Sequence, residues 1–208
     1  LYSRSFEMMV ELGCMPVMKI LSRATRIIAE GEVLQLSKIR DASTTEETYM
    51  EVIRGKTAML FEASTHSAAA LAGANQAQSE ALSRFGDHLG IAFQLVDDLL
   101  DYQGDAATLG KNVGDDLAEG KPTLPLIFTM REGTVEQAAL VRTAIQKGGL
   151  DDLESIRAAV EASGALAYTA KLAREHADHA IACLDSLPES EYRAALIELC
   201  RFAVARTH

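Results

Sequence analysis

Three aspartates on one predicted helix form the strongest chemical signal in the chain. Asp97, Asp98 and Asp101 lie in the stretch FQLVDDLLDY, whose other residues are mostly apolar. Residues four apart share a face of a helix, so Asp97 and Asp101 project together, with Asp98 at the edge of that face. Clustered carboxylates suit Mg²⁺, which takes one or two carboxylates and completes its shell with water and substrate phosphates. The pattern predicts a magnesium ion bridging these acids to a phosphorylated ligand, although three solvated acids would have the same spacing.

A glycine-rich segment with isolated lysines follows the aspartates. Residues 109–125 read LGKNVGDDLAEGKPTLP and contain Lys111 and Lys121. Glycine lets the backbone approach a ligand closely, and lysine is a compact point charge for phosphate. The segment is not a P-loop, because the pattern GxxxxGK[ST] does not occur in the chain. Beside the aspartates it predicts an anion site, whereas by itself it would indicate an ordinary turn.

Composition limits the classes of function. The chain has 208 residues, of which 48% are hydrophobic, and a formal net charge of -10. A surface of that sign repels nucleic-acid phosphates and anionic lipids, and charged residues interrupt every apolar stretch before the ~20 residues of a membrane span. Three scattered cysteines without CxxC spacing suggest free thiols in a reducing compartment. We therefore expect a cytoplasmic protein with no nucleic-acid partner and no transmembrane segment.

Helical periodicity dominates the elements that must position these residues. Apolar side chains recur at helical spacing between residues 17 and 28, and Pro16 suits the first turn of that helix. Thr44-x-x-Glu47 is typical of a capping box for a second helix, and an apolar-rich helix is expected from about 80 to 102. Glycines and prolines predict that most of 103–125 is loop. Later helices are predicted to begin at a Thr134-x-x-Gln137 box and near residues 150, 164 and 188.

The motifs together resemble those of one enzyme family. FQLVDDLLDY followed by LGKNVGDDLAEGKPTLP is similar to the second aspartate-rich region of the trans-isoprenyl diphosphate synthases. RGKTAMLFE at residues 54–62 resembles the lysine–threonine helix of that family. LYSRSFEMM and IAEGEVLQL resemble its long-chain bacterial members, most of all the octaprenyl diphosphate synthases. The resemblance covers essentially the whole chain and implies an all-α, single-domain helical bundle of the isoprenoid synthase type over residues 1–208.

The resemblance also implies an activity and a metal. Asp97 matches a metal-binding aspartate of the family, and Asp98 and Asp101 match its water-mediated partners, so the three form the implied Mg²⁺ site. The implied reaction is the Mg²⁺-dependent condensation of isopentenyl diphosphate with an allylic prenyl diphosphate. Its product would be a long-chain all-trans polyprenyl diphosphate, a precursor of quinone side chains. Family members are typically homodimers, so we expect a homodimer.

Five polar residues match substrate-binding positions of the family. Lys56, Lys111 and Lys121 correspond to lysines that hold the allylic diphosphate. Thr57 and Gln94 correspond to polar groups beside the cation that develops when the diphosphate leaves. Of this set, Lys56, Thr57 and Gln94 are the implied catalytic residues, together with the metal-binding Asp97.

One departure from the family pattern is large. The family carries an earlier aspartate-rich motif with arginines, and an upstream basic set for isopentenyl diphosphate, and neither occurs in this chain. We therefore expect residues 1–208 to be the C-terminal two-thirds of such an enzyme, truncated at the N-terminal side and inactive alone. The alternative is a non-catalytic regulatory subunit or an inactive fragment of the same fold. A calcium-binding module is excluded because no EF-hand loop occurs.

The histidines carry a weaker signal. His176 and His179 have the i, i+3 spacing of helical metal ligands and are accompanied by Glu175 and Asp178. We interpret this group as a solvated polar helix face, because such residues are usually exposed. His88 is interpreted as isolated, with a structural or surface position.

Overall fold

The computed structural model describes residues 2–103, 114–148 and 151–206. Within these ranges the chain is almost entirely helical and contains no strand. The predicted all-α fold class is thus confirmed. No helix in the described ranges has both the length and the apolar character that a bilayer crossing requires.

The described residues form eleven α-helices. They are α1 (Tyr2–Leu12), α2 (Met15–Lys38), α3 (Glu46–Ile53), α4 (Met59–Leu71), α5 (Gln76–Gln103), α6 (Asp115–Ala118), α7 (Leu124–Glu132), α8 (Val135–Lys147), α9 (Leu153–Ala162), α10 (Ala165–Cys183) and α11 (Glu191–Ala205). A π-helical turn, Arg54–Ala58, connects α3 directly to α4.

Local capping explains where several helices begin. α2 begins at Met15 with Pro16 in its first turn, as predicted. α8 has the predicted capping box: the Gln137 N–H donates to Thr134 Oγ1 at 3.2 Å, and the Thr134 N–H donates to Gln137 Oε1 at 2.8 Å. Both predictions rest on local sequence alone, and both are confirmed.

The predicted capping box at Thr44 and Glu47 is wrong by one residue. Thr45 caps α3, because its Oγ1 accepts the N–H of Thr48 at 3.2 Å. The Thr44 hydroxyl instead donates to the carbonyl oxygen of Asp41 at 2.9 Å and is buried in the preceding turn. The Thr44 hydroxyl therefore stabilises the turn at Asp41 and does not cap α3.

The predicted loop over 103–125 is only partly correct. α5 extends to Gln103, α6 occupies Asp115–Ala118, and α7 begins at Leu124 with Pro125 in its first turn. Residues 104–113 lie outside the described part of the chain. Proline at the start of a helix costs no hydrogen bond, so Pro125 marks a helix start rather than a continuing loop.

α5 is the central helix and lies between α4 and α10. Its side chains Phe85, Ile91 and Leu95 are fully buried. Two glycines bring α5 close to the chain in front of it: a Cβ added at Gly90 would lie 2.5 Å from the Cα of Ala58, and one added at Gly86 would lie 2.5 Å from the Phe61 carbonyl oxygen. Only hydrogen fits at these positions, so the crossing of α5 with the π-helical turn and α4 is close.

The π-helical turn also touches α2. A Cβ added at Gly31 of α2 would lie 2.6 Å from the backbone nitrogen of Lys56. The turn is thus held between α2 on one side and α5 on the other. This arrangement places Lys56 beside α2 and Thr57 beside α5.

Candidate active site

A cavity of about 120 Å³ lies where the π-helical turn, α3, α5 and the segment around α6 meet. Its lining includes five residues that the sequence predicts to bind substrate or metal: Lys56, Thr57, Gln94, Asp98 and Lys121. These residues come from three separate parts of the chain, and only the fold brings them together. Lys111 falls within residues 104–113 and lies outside the described residues.

Asp98 is the most buried acid of the cavity, with 2% of its surface exposed. The Tyr49 hydroxyl donates to its Oδ2 at 2.6 Å, and the Gln94 amide donates to its Oδ1 at 2.8 Å. The Thr57 hydroxyl in turn donates to Gln94 Oε1 at 2.9 Å. Thr57, Gln94, Asp98 and Tyr49 therefore form a continuous chain of hydrogen bonds that fixes the orientation of each side chain.

Burial favours the neutral form of two acids of α5, Asp98 and Asp101. It raises the pKa of Asp98 to about 7, with a further increase from the nearby charge of Asp116, against the hydrogen bonds from Tyr49 and Gln94. Burial and then Asp116 likewise raise the pKa of Asp101 to about 6. The Oδ2 of Asp101 is buried without a hydrogen-bond partner among the described residues. The cluster thus holds more negative charge than its surroundings compensate.

Asp97 faces a different neighbour from Asp98. Its Oδ1 lies 2.6 Å from Nη2 of Arg206, which follows α11 and is 12% exposed. The same guanidinium group donates to the Phe93 carbonyl oxygen at 2.6 Å and stacks 3.9 Å from the centroid of the Phe93 ring. Adjacent residues on a helix point about 100° apart, which explains why Asp97 and Asp98 have separate environments.

Two lysines of the site, Lys56 and Lys121, form ion pairs with acids. Lys56 Nζ lies 2.6 Å from Glu32 Oε2 and also donates to Gln35 of α2. Lys121 Nζ lies 3.0 Å from Asp116 Oδ1 and 2.7 Å from Glu119 Oε2. Burial lowers the pKa of Lys121, but Glu119 and Asp116 together raise it well above its usual value. Lys121 therefore stays cationic. An anionic ligand that binds Lys121 would displace the carboxylates of Asp116 and Glu119.

Several residues of the site were missed at the sequence level. Asp116 lies inside the GDD motif and Gln35 inside IAEGEVLQL; both segments resemble the family, but the resemblance indicates no role for these two residues. Tyr49 and Arg206 carry no sequence signal, because they lie 49 and 113 residues from the positions they bond. In the described part of the chain, no three acid, histidine or cysteine side chains converge as a ready metal-ligand set.

Comparison with known proteins defines the class of the chain. The sequence profile of the polyprenyl synthetase family matches residues 1–163, and the chain belongs to that family. The octaprenyl diphosphate synthase of Escherichia coli (strain K12) is 51% identical over 207 residues, which cover 99% of this chain and 64% of that protein. An all-trans-nonaprenyl-diphosphate synthase (geranyl-diphosphate specific) of Rhodobacter capsulatus is 50% identical over 206 residues, covering 99% and 63%.

Solved structures agree with the sequence comparison. A polyprenyl synthase from Caulobacter crescentus CB15, crystallised with calcium and isoprenyl diphosphate, superposes with a TM-score of 0.94 at 45% identity, over 100% of this chain and 64% of that one. A decaprenyl diphosphate synthase from Rhodobacter capsulatus superposes with a TM-score of 0.92 at 43% identity, over the same shares. The fold is that of the isoprenoid synthases, as expected from the motifs. The chain spans about 64% of the length of these relatives.

Proposed function

We propose that this chain forms one wall of the active site of a long-chain trans-prenyltransferase, which condenses isopentenyl diphosphate with an allylic prenyl diphosphate. One observation carries the proposal: a single cavity joins the cationic side chains of Lys56 and Lys121 to the buried carboxyl group of Asp98 on α5, whose pKa burial and the charge of Asp116 raise. Lysine ammonium groups suit diphosphate oxygens, and acids with surplus negative charge suit a cation that bridges to the same diphosphate. The resemblance to octaprenyl and nonaprenyl diphosphate synthases supports the same chemistry.

The donor set fits Mg²⁺. Asp97, Asp98 and Asp101 would hold it. Among the described residues Oδ2 of Asp101 has no hydrogen-bond partner, and the pKa values of Asp98 and Asp101 are raised, as expected for carboxylates without a nearby positive charge. That no three ligands converge within the described ranges is compatible with this metal, because Mg²⁺ needs only one or two carboxylates besides water and phosphate. When bound, Mg²⁺ would neutralise charge that develops on the departing diphosphate.

The residues of the chain would act by positioning and electrostatics rather than by covalent catalysis. Lys56, Lys111 and Lys121 bind the allylic diphosphate and stabilise it as it leaves. Thr57 and Gln94, oriented by Asp98 through the hydrogen-bond chain, present oxygen atoms to the allylic cation. The isopentenyl double bond then attacks this cation, and loss of a proton completes the condensation.

A separate groove would hold the growing prenyl chain. It encloses about 390 Å³ between α2 and α4, and Ile20, Met59 and Ala63 line it. Met59, which lines the groove, follows Thr57, which lines the cavity, by two residues. Each buried CH₂ of a prenyl chain would contribute about 0.8 kcal/mol. The proposed product is a long all-trans polyprenyl diphosphate used for quinone side chains.

The assembly we propose is a cytoplasmic homodimer. Four apolar side chains at the α1–α2 corner are each more than half exposed: Met8, Val10, Leu12 and Met15. Apolar patches of this kind mark protein interfaces, and a second copy would cover them. Light scattering of the full-length enzyme should give the mass of two subunits, and Val10→Asp should reduce it to one. A reducing compartment agrees with the free cysteines Cys14, Cys183 and Cys200.

The decisive experiment separates the enzyme from the alternatives, a regulatory subunit or an inactive fragment. Radiolabelled isopentenyl diphosphate is supplied with an allylic diphosphate and Mg²⁺ to the full-length enzyme and to residues 1–208 alone. We expect the full-length enzyme to make long chains and to stop when the metal is chelated, and residues 1–208 alone to incorporate nothing. A full-length enzyme without incorporation would contradict the function, whereas sustained incorporation by residues 1–208 would contradict only the picture of an incomplete site.

A further inference from the structure

Three imidazole rings meet where α5 packs against α10. The ring centroid of His88 lies 5.1 Å from that of His176 and 5.2 Å from that of His179, and the two rings of α10 are 6.3 Å apart. His88 and His176 are partly buried, and His179 is exposed. The interpretation of His176 as part of a solvated helix face is therefore wrong, and His88 is not isolated. Packing against α5 covers His176, which the sequence of α10 alone did not indicate.

The nearest atoms of two of these rings are both potential metal ligands. Nδ1 of His88 lies 3.0 Å from Nδ1 of His176. Without a metal, one ring donates its proton to the other, so the two must be opposite tautomers. Two nitrogens that each lie about 2.1 Å from one metal ion, at an angle of roughly 90–109°, are about 3.0–3.4 Å apart. The pair thus already has the spacing of two ligands of one ion.

His179 is the candidate for a third ligand, because its ring lies 5.2 Å from that of His88, centroid to centroid. It lies three residues after His176 on α10, a spacing that puts two side chains on one helix face. The described side chains do not yet converge on one point as a set of three. Because His179 is exposed, its ring can change rotamer toward the pair without disturbing the core. Water would complete the coordination shell from the solvent side.

Burial favours the neutral form of two of the rings, His88 and His176. Burial, followed by the neighbouring rings of His88 and His179, lowers the pKa of His176 to about 4. Burial also lowers the pKa of His88, against the charge of Asp87. Neutral imidazole is the ligand form, so a metal ion at neutral pH displaces no charge-bearing proton from either ring.

We propose that His88, His176 and His179 bind one divalent transition-metal ion of the Zn²⁺ class, which ties α5 to α10. Imidazole nitrogen favours Zn²⁺, Ni²⁺ and Cu²⁺, whereas Mg²⁺ favours oxygen, so the site is chemically separate from the aspartate cluster. His88 precedes Asp97 by nine residues, which is about 13 Å along the helix axis. The proposal therefore stands or falls independently of the proposed function.

Calorimetric titration with Zn²⁺ tests the site. Full-length protein is freed of metal with a chelator, and the titration is performed in excess Mg²⁺ so that the aspartate cluster is occupied. We expect one Zn²⁺ per chain with micromolar or tighter affinity, and a higher melting temperature. His179→Ala should weaken binding about tenfold or more, and His176→Asn at least as much. His179 is exposed, so its variant remains informative if His176→Asn fails to fold.

Three matched variants serve as controls. His66→Ala removes a histidine elsewhere on the surface of α4, Asp97→Asn alters the aspartate cluster, and Cys183→Ser removes a partly exposed thiol; all three should bind Zn²⁺ as the parent does. Absence of Zn²⁺ binding by the folded parent would overturn the proposal. So would binding that survives His179→Ala and His176→Asn, or that disappears with Cys183→Ser or Asp97→Asn.

Discussion

α5 carries two polar clusters, and burial shifts the pKa values of their side chains in opposite directions. At its C-terminal end burial raises the pKa of Asp98 to about 7 and that of Asp101 to about 6, whereas nearer its N-terminus burial lowers the pKa of His88, and it lowers that of the facing His176 to about 4. In both clusters the neutral form is favoured, because removing a charge from water is costly whatever its sign. The two clusters differ in the ligand atom that they offer to a cation: carboxylate oxygen favours Mg²⁺, and imidazole nitrogen favours Zn²⁺.

The surroundings strengthen this contrast. Asp116 adds negative charge beside Asp98 and Asp101, so a cation would relieve repulsion there. The charges that act on His88 have mixed sign, with Asp87 opposed by Arg54 and Arg84. A cation at the aspartates thus gains from electrostatic attraction, whereas one at the histidines depends on coordination. The first cluster should matter for turnover, and the second for stability.

The largest expected effect is on turnover by the aspartate cluster. In the full-length enzyme, Asp97→Ala should lower kcat about a thousandfold, equivalent to about 4 kcal/mol of transition-state stabilisation, because a metal-binding carboxylate is lost. Circular dichroism should remain unchanged, since Asp97 is partly exposed and its described partner, Arg206, keeps its hydrogen bond to the Phe93 carbonyl oxygen and its contact with the Phe93 ring. His179→Ala, in the other cluster, should leave kcat as it is. Parent-like rates in Asp97→Ala would contradict the metal assignment.

The next effect concerns the glycine that lies between the two clusters. Gly90→Ala should lower the free energy of unfolding by about 2–4 kcal/mol, because its Cβ would lie 2.5 Å from the Cα of Ala58 and force the helices apart. Gly73→Ala is the matched control: it adds the same atom into open space at a φ of +65° and should cost only about 1 kcal/mol. Urea denaturation measures both. Equal losses in the two variants would show that the close crossing is not the source of the strain.

A smaller effect is expected on substrate affinity. In the full-length enzyme, Lys56→Ala, Lys111→Ala and Lys121→Ala should each weaken binding of an allylic diphosphate analogue about tenfold, or about 1.4 kcal/mol, with little change in melting temperature. Each substitution removes one positive charge that would contact the diphosphate. Lys171→Ala is the control, because this lysine lies on the exposed face of α10 and pairs with Glu175 at 3.5 Å. Unchanged affinity in all three variants would contradict the anion site.

Structural features that depend on residues close together in the chain could be predicted from the sequence. Helix starts at Pro16 and Thr134 follow from local hydrogen bonding, and the motif around Asp98 identifies an acidic site from one stretch of residues. The bond from Tyr49 and the meeting of His88 with His176 span 49 and 88 residues, so they depend on how helices pack. Glycine spacing did not signal the close crossings either, because a glycine at a helix contact looks the same in sequence as one on the surface.

The smallest expected effect concerns Cys200, a buried cysteine away from both clusters. It tests whether burial favours the neutral form of an ionisable side chain. Burial, followed by the nearby Cys183, raises the pKa of Cys200 to about 11. The thiolate is the reactive form, so at pH 8 only about one Cys200 thiol in a thousand should be ready to react. Iodoacetamide should therefore modify the partly exposed Cys14 at least about tenfold faster than Cys200 in the folded chain, as followed by peptide mass spectrometry. In urea the two cysteines should react at similar rates, which shows that the fold protects Cys200. Equal rates in the folded chain would mean that burial does not hold this group neutral, and would weaken the same explanation for the acids and the histidines of α5.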